Sequence, residues 1–66
     1  MKLVVNGEER SVERAGDLAE LIAELGLPPQ AVLVEHNGVA LRRPEWAGRA
    51  LAEGDRLEII RIVAGG

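Results

Sequence analysis

The spacing of apolar positions changes along the chain, and each change marks an element. Leu3, Val4 and Val5 open it as an apolar, β-branched run over residues 2–6. Asn6-Gly7 then supplies a two-residue hairpin turn, which needs positive φ at both central positions. Glu9, Arg10, Ser11, Val12 and Glu13 return antiparallel, polar enough for a sheet edge or a strand with one solvated face. From Asp17 the spacing becomes helical. Leu18, Leu21, Ile22 and Leu25 fall at i, i+3, i+4 and i+7 and form one stripe, with Glu20 and Glu24 pointing away from it. Asp17 is placed as N-cap, Glu20 completes a capping box, and Gly26 with Pro28-Pro29 ends the helix.

Residues 31–36, from Ala31 to His36, read as a buried strand, and Asn37-Gly38 repeats the tight-turn signal before a strand over 39–42. The segment from Pro44 to Gly48 reads as a short helical turn or loop. Leu51 and the turn at Glu53, Gly54 and Asp55 deliver a last strand from Arg56 to about Val63. The order strand, strand, helix, strand, strand, strand predicts an α+β roll, a mixed sheet of about five strands with one main helix packed across it. Within the last strand Leu57 and Ile59 share one face and Ile60 and Ile62 the other. A lone helix covers one face only. Ile60 and Ile62 are therefore expected to be exposed, as a candidate partner-docking patch.

Length bounds what such a fold can do. Sixty-six residues predict one domain, 1–66, that buries only about 60% of the surface of its unfolded chain. An ordinary ligand pocket would consume that core, which favours a protein that others bind over an enzyme acting alone. There is no cysteine, so neither a disulfide nor a thiolate zinc site staples the fold, and any sulfur chemistry must use another group. The net charge of −3 argues against nucleic acid and for a basic partner surface. No apolar run approaches the length of a membrane span and no signal-peptide pattern opens the chain, so the expected compartment is the cytoplasm. Lys2 is the only lysine, which argues against a modifier that builds chains of itself.

Side chains offer little chemistry. His36 is the only histidine and has no cysteine beside it, so it reads as a strand-end surface or structural residue, and no metal site is predicted. Ser11, the only serine, likewise lacks the partners of a nucleophile. Trp46 reads as a lid on one end of the core in a chain without Phe or Tyr. Arg42 and Arg43 read as solvated strand-end charges. Glu8, Glu9, Glu13, Glu20, Glu24, Glu53 and Glu58 are dispersed and read as solvated surface. Gly7, Gly26, Gly38 and Gly54 have turn or cap roles, and no phosphate-binding loop is predicted. What remains is Gly65-Gly66 after an apolar strand. Two residues without Cβ make a tail slim enough for a narrow channel and leave the last carboxyl unhindered. Gly66 is thus the candidate reactive group, and Val63, Ala64 and Gly65 the candidate segment that enters a partner's channel.

The segments Val5-Asn6-Gly7-Glu8, Leu18-Ala19-Glu20-Leu21-Ile22, Val34-Glu35-His36-Asn37-Gly38, Arg43-Pro44-Glu45-Trp46, Leu51-Ala52-Glu53-Gly54-Asp55 and Gly65-Gly66, in that order, resemble the ubiquitin-like β-grasp sulfur carriers. The resemblance spans essentially the whole chain and is strongest to the ThiS family of thiamin (thiazole) biosynthesis. His36 stands where most members carry an apolar or small residue. The resemblance implies a β-grasp domain with a flexible Gly-Gly tail. It further implies an activating adenylyltransferase that uses ATP and magnesium to adenylate Gly66, and a sulfur donor system that converts the adenylate to a thiocarboxylate. A thiazole synthase then takes the sulfur. The carrier itself would be a protein cosubstrate without a bound cofactor. Carriers for molybdopterin synthesis or tRNA thiolation share these features and stay open as alternatives. So do a ubiquitin-like protein modifier and a non-catalytic interaction domain.

Overall fold

The two Asn-Gly turns organise the sheet. In the computed structural model, which describes residues 1–62, Asn6 and Gly7 have φ of 51° and 80°, and Asn37 and Gly38 have 50° and 84°. These left-handed pairs match the twist of tight hairpins. The first joins β1 (Lys2–Val5) to β2 (Glu8–Ser11), and the second joins β3 (Val32–His36) to β4 (Val39–Leu41). The last strand, β5 (Arg56–Arg61), enters between the two hairpins and gives the order β2-β1-β5-β3-β4. It runs parallel to β1 and antiparallel to β3, with Val5 opposite Leu57 and Leu33 opposite Ile60. The strand that leads to the tail is therefore the central one, paired on both sides.

The helix α1 (Leu18–Glu24) has the predicted capping box. Asp17 accepts from the Glu20 N–H at 2.8 Å, and the Glu20 carboxylate accepts from the Asp17 N–H at 3.2 Å. Leu18, Leu21 and Ile22 are fully buried with Leu3, Val34 and Leu57 in one cluster. Burial of each such side chain is worth about 1.5–3 kcal/mol. Trp46 closes this core as predicted, 3% exposed, with its indole N–H bonded to the Leu41 carbonyl at 3.3 Å. No helix among the described residues is long and apolar enough to cross a membrane.

Three local expectations shift, each for a visible reason. The second strand ends at Ser11 rather than Glu13, because the Glu24 carboxylate takes the N–H groups of Glu13, Arg14 and Ala15 at 3.0–3.2 Å out of any ladder. The fourth ends at Leu41 because the Arg42 N–H turns to the Glu45 carboxylate at 2.7 Å, opening a 3-10 turn over Arg43–Glu45. β3 is not buried on both faces: Val32, Val34 and His36 are buried while Leu33 and Glu35 are exposed. Its apolar run hides a period-two alternation, since Leu33 lies on the side without a helix. The dispersed glutamates are exposed as expected, and three of them also serve the backbone. Glu20 and Glu24 hold backbone N–H groups, and Glu53 accepts from the Lys2 N–H at 3.0 Å.

Candidate functional site

β5 precedes the candidate tail, and bonds from Asn6, Asn37 and Ala31 hold it in place beyond its own ladders. Asn6 ends β1 but continues its pairing through the side chain. Its Nδ2 donates to the Ile59 carbonyl at 3.0 Å, and its Oδ1 accepts from the Ile59 N–H at 2.7 Å. Asn37 does the corresponding work at the start of the strand, accepting from the Arg56 N–H at 2.8 Å through its Oδ1. At the far end the Ile62 N–H donates to the Ala31 carbonyl at 2.7 Å. The backbone is thus fixed up to the residue before Val63. Asparagine at these turns was legible as a φ requirement; its second role as a mimic of a strand's backbone was not.

Alternation along β5 separates two kinds of surface. Leu57 and Ile59 face the helix at 1% and 8% exposure, whereas Ile60 and Ile62 lie open at 60% and 44%. Leu33, 56% exposed and directly opposite Ile60, joins them. Sequence reasoning missed Leu33 because it lay inside a run read as buried. Around Leu33 and Ile60 the open face is dished into a groove of about 220 Å³ that reaches Glu35, Ala40, Arg42 and Glu58. The remaining expected site residues, Val63, Ala64, Gly65 and Gly66, lie outside the described residues.

The start of β5 holds an ionic cluster. His36 is buried, 5% exposed, and so is not a surface residue. Arg49 Nε donates to its Nδ1 at 2.9 Å, which makes that nitrogen an acceptor and leaves the proton on Nε2, 2.7 Å from Asp55 Oδ2. Asp55 also accepts from the Ala52 N–H at 2.8 Å and from Asn37 Nδ2 at 3.1 Å. Burial raises the Asp55 pKa, but the hydrogen bonds from His36, Asn37 and Ala52 together outweigh it and hold the carboxyl below its ordinary value. No buried side-chain nitrogen or oxygen among the described residues lacks a partner, and the arrangement ties β3 and the segment around Arg49 to the start of β5. No group of three or more His, Cys, Asp or Glu among the described residues could hold a metal ion.

The ThiS family model matches residues 3–66, from the first strand through Gly65-Gly66. The chain belongs to the ThiS family. The β-grasp fold, a five-stranded mixed sheet with one helix, agrees with that membership. The crystal structure of a thiamine biosynthesis protein (ThiS) from Geobacter metallireducens is 32% identical, covers 100% of both chains and superposes with a TM-score of 0.83. A solution structure of a thiamine biosynthesis protein from the same organism gives a TM-score of 0.81 over 100% of this chain and 88% of that one, again at 32% identity. Two curated relatives carry the name thiazole synthase. The protein from Paramagnetospirillum magneticum is 39% identical and that from Magnetococcus marinus 33%, each over all 66 residues of this chain. The chain spans about a fifth of the length of these two curated relatives, 20% in each case.

Proposed function

We propose that Gly66 carries sulfur for thiazole formation in thiamin biosynthesis. On this reading residues 1–66 work as one carrier domain in the cytoplasm, and Val63, Ala64 and Gly65 thread the tail into the partner's channel. The Gly66 carboxylate attacks the α-phosphate of ATP on a magnesium-dependent activating adenylyltransferase, and pyrophosphate leaves. Hydrosulfide, or its equivalent from a sulfur donor, then attacks the acyl carbon. AMP leaves, a proton is released, and a thiocarboxylate remains. A bare carboxylate is a poor electrophile, so the adenylate supplies the leaving group. The carrier contributes no acid, base or metal ligand to either step, and is a cosubstrate rather than an enzyme.

The observation that carries this reading is the family match running through Gly65-Gly66, and the fold is consistent with it. A central strand held on both sides offers its last residues from a rigid base, so a partner can grip the tail without ordering the rest of the chain. Thiazole synthase is the sulfur acceptor we favour, because the curated relatives with that name carry a segment similar to this chain.

Intact mass measures the outcome. The protein is incubated with ATP, magnesium, sulfide and the activating enzyme from the same genome. Exchange of one oxygen for sulfur on the wild type, absent after deletion of Gly65-Gly66, is the expected result. No change, with the enzyme active on another carrier, would leave a non-catalytic interaction domain as the better reading.

A further inference from the structure

The open face carries a charge arrangement that the fold does not use. Glu35 on β3 and Glu58 on β5 are partners in register, both exposed, beside the Leu33–Ile60 pair. Residues directly opposite on neighbouring strands have Cβ atoms about 4.5–5.5 Å apart, close enough that two carboxylates there destabilise the strand pair. Elsewhere the molecule puts acids to work: Glu20, Glu24, Glu45 and Glu53 each hold a backbone N–H. Glu35 and Glu58 have no ion pair or side-chain hydrogen bond among the described residues, although Arg42 lines the same groove.

We infer that Glu35 and Glu58 form the ionic half of a docking groove for the sulfur-accepting thiazole synthase. Its docking surface places an arginine between the two carboxylates and an apolar side chain against Leu33 and Ile60. Charge complementarity selects the occupant. A planar guanidinium presents five N–H donors and spans two carboxylates, whereas an ammonium satisfies them as a point charge. The apolar neighbours exclude water when the partner seats, which strengthens an ion pair that would be worth little in solvent. The site also lies on the strand that precedes the tail in sequence, with Ile60 two residues before Ile62, the last described residue. Seating an arginine here relieves the repulsion in the free carrier, so the complex gains from both effects.

This inference rests on the sulfur-carrier reading, and the test separates the two. Purified thiazole synthase from the same genome is titrated calorimetrically with wild-type carrier and with the Glu35→Gln/Glu58→Gln double variant, at low and at high salt. Activation is followed in parallel by intact mass. We expect the double variant to bind at least about tenfold more weakly, about 1.4 kcal/mol, to lose most of the salt dependence, and to keep an equal or higher Tm. It should still be loaded with sulfur. Binding within about twofold of wild type, or a loss of binding that tracks a fall in Tm, would overturn the inference. Wild-type carrier that is loaded but does not bind the synthase would overturn it too, while leaving sulfur carriage standing. Failure of both loading and binding would remove the carrier reading and this inference together.

Discussion

β5 presents two faces built from the same residue types, and they do different work. Towards the helix, Leu57 and Ile59 are closed into the core; towards solvent, Ile60 and Ile62 are open beside Leu33. Isoleucine therefore serves the fold at one position and lies outside it at the next. Hydrophobicity alone does not separate the two cases. The difference comes from the single helix, which leaves one face of a central strand uncovered. A face outside the core can be tuned for partners at far smaller cost to the fold than the buried one.

The sharpest way to break this comparison is to truncate both sides equally. Leu57→Ala should cost about 2–5 kcal/mol, because a fully buried leucine leaves a cavity that a small core cannot refill. Ile60→Ala should change stability by no more than about 0.5 kcal/mol. Urea unfolding of the two variants measures both. Equal losses would mean that the open face is part of the fold after all.

The asparagine bridges provide a smaller test on the same strand. Asn6→Ala removes two bonds to Ile59 and puts at φ of 51° a residue that tolerates the left-handed region less well than asparagine. A loss of about 1–2 kcal/mol is expected. Asn6→Gly relieves the backbone but not the bridge. If the glycine variant recovers full stability in the same urea assay, the side-chain bridge to β5 is dispensable and only the turn matters.

How much of this was legible in the sequence depends on the kind of signal. Local signals were strong: two Asn-Gly turns, the capping box at Asp17 and Glu20, and the stripe at Leu18, Leu21 and Ile22 gave the elements and the α+β class. The period-two pattern in β5 also put Ile60 and Ile62 on the side away from Leu57 and Ile59. Long-range pairing was not encoded in any window. Nothing near Glu24 announces that its carboxylate ties down residues 13–15, and nothing near His36 announces Arg49 and Asp55. Each depends on elements 9 to 19 residues away meeting in space. Leu33 was lost for a related reason, since a run of apolar residues reads alike whether one or both faces are covered.

The smallest effect contrasts acids that hold the backbone with acids that hold nothing. Hydrogen bonds from the N–H groups of Glu13, Arg14 and Ala15 keep the Glu24 carboxyl below its ordinary value of 4.5, and those from Glu20 and Gly48 keep Asp17 below 3.8. A carboxyl whose pKa is lower folded than unfolded adds stability above the unfolded pKa. That stability is lost as pH falls through the folded value. Tm should therefore hold level down to about pH 5 and decline below about pH 4. Glu24→Gln retains at most one of the two acceptor oxygens and cannot titrate, so its Tm should start lower and fall less steeply over that acidic range. Glu58→Gln breaks no backbone bond and leaves Glu24 and Asp17 in place, so its Tm should start equal to or above wild type and still decline in acid. If the two variants respond alike to acid, the capture of the 13–15 backbone by Glu24 contributes nothing measurable.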